Sequence, residues 1–523
     1  MLTRKDALSS INGPGGRGRG RRARRGGPRY GVRRFVAFVA VLVVGVGLGL
    51  GAVALFGSLG SDPVELRVIG VDGPIPGATI TGPAGASVRT VENGSAGLDF
   101  SAPAMLEVTA PGYEAAVFDV QAIPNPGPLF LQLNPVVLQG RVVDPAGQGI
   151  EGALVDLGDR DTVTDELGSF EIVAAVPGTV EASKPAWSPT EVAWSGEARR
   201  LEIEIEPVTV RGLYVTHQVA GDPAAFAELL DMAASSSVNS LVFDTKLESG
   251  EVLYDTSVEE AELVGAARAT YDPREAIAAA REHGLYTITR IVTFQDPFRS
   301  EVRTEHAIQN EETGDIWRNT KGLGWMDPTD RGAWTYPIAL AKEACEIGFD
   351  EVQFDYVRFP TDGDVSITEY DASPIDSTVR IDTITEFLST ARSELNAMGC
   401  AVSADIFGIV MSVSDDQGLG QLPESLSYAV DAVSPMIYPS HYGPGWLGFD
   451  NPNDFPAEVV GQAIEAGMPK LEGGAVLRPW LQAFSWSDEE ILESIGAAEE
   501  NGLGWMLWHS RSEFSQGALP DDS

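Results

Sequence analysis

Hydrophobic and polar positions change their spacing three times along the 523-residue chain. Phe35 to Phe56 runs FVAFVAVLVVGVGLGLGAVALF without a charge, long enough at 1.5 Å per residue to cross a bilayer core of roughly 30 Å. This predicts a transmembrane helix over 35–57. From Asp62 to about Pro207, short alternating runs rich in Val, Gly, Pro and Thr are separated by turn residues, the pattern of an all-β region. From Val210, short apolar runs alternate with helical stretches, which predicts βα units and a parallel sheet. Eight candidate strands follow: Gly212 to His217, Ser240 to Lys246, Tyr286 to Phe294, Glu351 to Phe359, Ala401 to Phe407, Ala432 to Tyr438, Ala475 to Ala483 and Gly504 to His509. That number fits a (β/α)8 TIM-type barrel over 210–515 better than an open doubly wound sheet, and no glycine-rich phosphate loop follows the first strand.

The all-β region repeats itself. Pro76-Gly77-Ala78 answers Glu151-Gly152-Ala153, Gly97-Leu98-Asp99-Phe100 answers Gly168-Ser169-Phe170-Glu171, and Leu131-Gln132-Leu133-Asn134-Pro135 answers Ile203-Glu204-Ile205-Glu206-Pro207. Recurrence at offsets of roughly 71–75 residues predicts duplicated modules, here two small β-sandwiches over 62–135 and 136–207. Neither holds a histidine, a cysteine or a convergent acid cluster, so a stalk is expected, with carbohydrate binding as the other reading.

Charge is divided sharply. Residues 1–34 hold eleven basic residues and one acid and read as a basic, disordered arm, whereas the remainder carries a net charge of −50. Cationic flanks stay on the cytoplasmic side, so a single-pass protein of the cell membrane is expected, its N-terminus inside and its acidic body outside. A cleaved signal is the rival reading, with Ala52-Val53-Ala54 as the small residues and Arg33-Arg34-Phe35 as a loose twin-arginine pattern. The length of the apolar run and of its leader favours the uncleaved anchor. An acidic body excludes nucleic acid as a partner, because phosphate neutralisation needs clustered Lys and Arg, and it argues against a polyanionic substrate. Only Cys345 and Cys400 occur, too few for a disulfide framework, and they are expected as two buried thiols.

Polar residues interrupt strands that should be apolar on both faces. In Glu351-Val352-Gln353-Phe354-Asp355-Tyr356, alternation puts Val352, Phe354 and Tyr356 on one face and Gln353 and Asp355 on the other. Val402-Ser403-Ala404-Asp405 repeats the arrangement one strand later. If the apolar face packs on helices, Asp355 and Asp405 point into the barrel near its carboxyl end, where barrel active sites sit. Neighbouring strands lie about 4.8 Å apart, so the two carboxyl groups suit glycoside hydrolysis, with retention at short separation or inversion with a water between them. The alternatives are that Asp355 pairs with Arg358 and that Asp405 caps the following helix. Other strand ends supply candidate substrate-binding groups: Asp244, Lys246, Arg290, Tyr356, Arg358, Tyr438, His441, Gln482 and His509, while Asp296 can simply begin a turn. Eight of the ten tryptophans lie beyond residue 316, and flat rings suit the C–H faces of sugars; Trp325, Trp446 and Trp508, in loops or at strand ends, are the expected platforms.

These residues carry a resemblance. GFDEVQFDYVRFP, VSADIFG, SPMIYPSHY, RPWLQAF and GWMLW resemble, in order, a family of glycoside-hydrolase-like barrels catalogued as a domain of unknown function. The likeness covers about Val210 to Phe514 and implies a (β/α)8 barrel of glycosidase ancestry, without supplying a substrate. GRVVDPAGQGIEGALVDLG followed by TDELGSFEI resembles the regulatory-like sandwich first described beside carboxypeptidases, with the preceding module a degenerate copy. That resemblance implies a spacer or adhesive unit.

The leading expectation is a membrane-anchored extracellular glycosidase acting on a neutral or amino-sugar polysaccharide, with no cofactor and no metal. A catalytically silent polysaccharide-binding barrel is the alternative; it would keep the tryptophans without needing the acid pair. A metal-dependent hydrolase is disfavoured, since His217, His441 and His509 fall on separate strands without an HxH or HExxH pair.

Overall fold

A computed structural model describes residues 63–521, which divide after Asn134 into two units. The basic arm and the apolar segment 35–57 lie outside the described residues. Among the described residues no helix is long and apolar enough to cross a membrane.

In the first unit, Val64–Gly70 pairs antiparallel with Ser95–Leu98 and parallel with Leu129–Gln132. A second sheet orders Ser87–Arg89, Thr79–Thr81, Ala104–Thr109 and Ala116–Val120. Strict alternation in Ala104–Thr109 buries Ala104, Leu106 and Val108, which share one core with Leu66, Val68 and Leu131 of the other sheet. The second unit opens with the same topology: Val137–Val143 pairs antiparallel with Ser169–Val173 and parallel with Arg200–Glu204. One detail recurs atom for atom. The buried Thr90 hydroxyl accepts from the Ala78 N–H at 2.8 Å and donates to the Ile75 carbonyl at 2.6 Å, and Thr164 does the same with Ala153 and Ile150 at the same distances. Gly94 and Gly168 both sit at φ +72°, where an added Cβ would meet the carbonyl oxygens of Val68 and Val142 respectively.

The rest of the second unit is a closed parallel barrel of eight strands, β1 Arg211–Val215, β2 Ser240–Lys246, β3 Tyr286–Val292, β4 Glu351–Asp355, β5 Ala401–Phe407, β6 Ala432–Ile437, β7 Trp480–Gln482 and β8 Trp505–Trp508. Pairing runs around the ring and β8 returns to β1. Among the described residues, the intervening helices of seven residues or more are α1 Pro223–Ala234, α2 Pro273–Glu282, α3 Arg331–Ile347, α4 Ser377–Asn396, α5 Pro423–Ala429, α6 Pro456–Gly467 and α7 Asp488–Glu499, with shorter ones at His217–Ala220, Glu259–Leu263 and Pro297–Val302. Asp-Pro dipeptides start α1 and α2, the Asp222 and Asp272 carboxylates capping free N–H groups while proline takes the first helical position. Ser487 and Glu490 form a capping box at α7.

Alternation sorts the strand residues. Phe354 of β4 faces outward and packs edge-on against Phe387 of α4, which also meets Phe294 and Trp334. Inside the barrel, the lowest layer is a buried ion pair, Glu351 with Arg478 at 2.8 Å, joined by the Ser403 hydroxyl and by Tyr286. Above it Gln353 reaches across to Ser434 among Val242, Ile288 and Met506. The upper layer is the site described below. The second sandwich lies at the opposite end, where Glu151, Lys184 and Trp187 face Arg392, Tyr428 and Gly474 across a groove of about 1310 Å³.

Cys345 of α3 and Cys400, which precedes β5, form a disulfide, with 5.9 Å between their Cα atoms. This corrects the expectation of two thiols: the last turns of α3 pack beside the start of β5 and bring the residues within bridging distance.

Candidate active site

The carboxyl ends of the barrel strands enclose a cavity of about 540 Å³ lined by Asp355, Asp405, Arg290, Arg358, Tyr438 and Trp508 among others. The β4–β5 register runs through Phe354 opposite Ala404, so the next position on each strand is an aspartate. Both side chains face inward and both are buried.

Their surroundings differ. Asp355 Oδ2 accepts from Arg290 Nε at 3.0 Å and Nη2 at 2.5 Å, and Oδ1 accepts from the Tyr356 N–H at 2.6 Å. Arg290 Nη1 also donates to Asp244 Oδ1 at 2.8 Å, and Asp244 Oδ2 accepts a short bond from the Tyr214 hydroxyl. Burial alone would oppose a charged Arg290, but Asp355 and Asp244 more than offset it and hold the guanidinium protonated. Asp405 lacks a cation of its own. Its Oδ1 accepts from Trp480 Nε1 at 2.7 Å. Burial first, and then the charge of Asp355, push the Asp405 carboxyl well above the usual carboxylate range, against the smaller pull of Arg290 and of the indole N–H. The two carboxyl groups on adjacent strands thus sit in unequal settings: Asp355 is bound by a guanidinium fork, whereas desolvation pushes Asp405 toward its protonated form.

Tyr356, which alternation places with Phe354 on the outer face, lines the cavity instead. Its φ of 50° lies in the left-handed region and turns the chain at the end of β4. Arg358 also lines the cavity and packs on the rings of Trp325, Tyr356 and Phe407 at 4.8–5.0 Å. It does not pair with Asp355, which is held by Arg290. Tyr438, His441 and Trp508 form one wall, with Trp508 tilted against Tyr438 at 5.8 Å between centroids. Burial lowers His441 below the usual imidazole range, so its ring is neutral near pH 7.

Five expected binding residues are elsewhere. A β-bulge between Asp244 and Lys246 turns Lys246 out of the barrel, where it is 0% exposed and pairs with Asp296 at 3.0 Å; Asp296 also caps the helix that follows. Trp325 is 0% exposed and packs beneath Arg358, so it is a support and not a sugar platform. Trp446 stacks on Tyr442 at 5.5 Å, behind the cavity wall. Gln482 is spent on Ser440, Asn453 and the Phe484 carbonyl, fixing the loop after β6. His509 accepts from the N–H groups of Arg511 and Glu513 and closes a turn. Asp244 is inside the barrel but acts through Arg290. Conversely, Trp480 and Tyr214 are not among the expected site residues; both sit on inward positions of apolar strands, Trp480 donating to Asp405 and Tyr214 to Asp244.

Comparison with known proteins gives the following similarities. A hypothetical protein from Ruminiclostridium thermocellum is 32% identical over 37% of this chain and 96% of its own, with a TM-score of 0.34. The chitobiase of Flavobacterium johnsoniae is 14% identical over 77% of this chain and 60% of its own, with a TM-score of 0.40. The catalytic domain of a beta-amylase from Paenibacillus polymyxa is 12% identical over 60% of this chain and 96% of its own, with a TM-score of 0.40. No curated protein matches the chain. A family model described as "Putative glycosyl hydrolase domain" matches residues 212–514, the whole barrel from the first strand past the last, and the chain belongs to that glycosyl hydrolase family.

Proposed function

We propose that the barrel hydrolyses a glycosidic bond with Asp405 as general acid and Asp355 as nucleophile, and that it works outside the cell on a stalk tethered to the membrane. The observation that carries the reading is the unequal environment of the two carboxyl groups. In the first step an Asp355 oxygen attacks the anomeric carbon as the glycosidic C–O bond breaks, and the Asp405 proton passes to the leaving oxygen. In the second, water attacks the glycosyl ester, its proton returns to Asp405, and Asp355 leaves as a carboxylate. Their place on neighbouring strands, at successive register positions, favours this retaining route over one with an intervening water. The apolar segment 35–57 and the cationic arm before it support the tether, and the regulatory-like motifs of the second sandwich support a spacer role for the duplicated modules. Incubating the full chain and its Asp355→Asn variant with a panel of polysaccharides, with detection of new reducing ends, tests the function. Release by the wild type and none by the variant is expected; release by neither, alongside retained binding, points to a silent binding barrel.

A further inference from the structure

Four arginines are buried among the described residues, and three of them meet a carboxylate: Arg290 with Asp244 and Asp355, Arg299 with Glu260, and Arg478 with Glu351. The fourth, Arg358, has no ion pair among the described residues, although it is only 7% exposed. Asp355 and Asp362 act on it electrostatically from farther away. Its one hydrogen bond runs from Nη1 to the Phe359 carbonyl at 3.1 Å. Three ring faces surround its plane in place of water, those of Trp325 and Tyr356 at 5.0 Å and Phe407 at 4.8 Å. Aromatic faces stabilise a cation but accept none of its in-plane N–H bonds. The guanidinium thus lines the cavity beside the paired aspartates with its planar fork largely unspent.

A buried, unpaired charge is costly, and a planar fork matches a carboxylate in a bidentate way that hydroxyl groups do not. We infer that Arg358 is a specificity residue that receives the carboxylate of an acidic sugar, a uronic acid or a sugar bearing a carboxylated ether, bound in the catalytic cavity. The inference rests on the glycosidase reading of this cavity and narrows its substrate class. The exported body carries a net charge of −50, which disfavours a uniformly anionic polymer, so the acidic sugar is one residue among neutral or amino sugars in the chain recognised.

Calorimetric titration of the full chain with methyl glucuronoside and methyl galacturonoside, each as the free acid and as its methyl ester, tests this directly. The acid is expected to bind roughly tenfold or more tightly than its ester in at least one configuration, because a charge-assisted pair is lost on esterification. Arg358→Gln should abolish that preference and Arg358→Lys should keep part of it, with thermal melting confirming that each variant is folded. Should Gln prevent folding, the reduced preference in the Lys variant carries the test. Equal binding of acid and ester, binding of neither, or a preference that survives Arg358→Gln overturns the inference. A sulfated glucoside as a third probe separates carboxylate recognition from general anion binding: affinity equal to that of the acid also overturns it. None of these readouts depends on turnover, so a barrel that binds acids but releases no reducing ends defeats the glycosidase reading alone.

Discussion

Trp480 and Asp405, two strands apart around the barrel, are joined by an indole N–H···Oδ1 hydrogen bond of 2.7 Å. The bond fixes one carboxyl oxygen, and in the proposed mechanism the other carries the proton given to the leaving group. It also favours the ionised form, so it tempers the rise that burial and Asp355 impose on Asp405. Trp480→Phe removes the donor while keeping a ring. The alkaline limb of the kcat/KM profile, which reports loss of the acid's proton, is therefore expected to move to higher pH. A limb that stays in place or moves down would show that Asp405 is not the group titrating.

Stability should carry the same signature. A carboxyl whose folded pKa is raised favours folding where it is protonated in both states and opposes it once pH exceeds the unfolded value, the loss growing until the folded pKa is passed. Asp405→Asn mimics the protonated form. Its Tm is expected to exceed that of the wild type by a few degrees at pH 8 and to converge with it below about pH 3, where the wild-type carboxyl is protonated whether folded or not. Paired thermal scans across that range check the sign.

Arg290 holds two aspartates, and Arg290→Met leaves both without their cation. Removing one partner of a buried pair costs about 3–5 kcal/mol. Urea unfolding should register a loss of that order together with loss of turnover, and Arg290→Lys should recover part of the stability. A variant as stable as the wild type would mean that water or a neighbour readily replaces the fork.

The repeated threonine makes a prediction for the two β-sandwich modules. Thr164→Val leaves the Ala153 N–H and the Ile150 carbonyl without their shared partner, and a buried unsatisfied group costs about 1–3 kcal/mol. A destabilisation of this size should appear in protease susceptibility of the second module, with kcat unchanged. Thr90→Val should do the same to the first module.

Much of this was legible in the residues. Period-two alternation with apolar continuity marked β2 and β5 to the residue and put Asp355 and Asp405 on the inner face. Where it misled, local geometry broke the period. The bulge after Asp244 reversed Lys246, and the left-handed turn at Tyr356 brought an outward residue into the cavity. Burial of loop residues is a tertiary property, so Trp325 read as a platform when it is the floor beneath Arg358. Trp480 was hidden for the opposite reason: inside an apolar strand, a tryptophan looks like core until its indole N–H is seen to end on a carboxylate. The Cys345–Cys400 bridge spans 55 residues and depends on how α3 meets β5, which spacing alone does not encode.

The division of labour between the two aspartates is tested most directly by leaving-group dependence. Aryl glycosides of whichever sugar the enzyme releases would be compared as substrates, one with a dinitrophenyl and one with an alkyl leaving group. For Asp405→Asn, kcat/KM of the dinitrophenyl glycoside, which reports the first step alone, should fall little, since that leaving group needs no proton, while kcat/KM of the alkyl glycoside falls by about 10²–10⁴. Asp355→Asn should abolish both. Equal losses on the two substrates in Asp405→Asn, or activity that survives Asp355→Asn, would contradict the assignment.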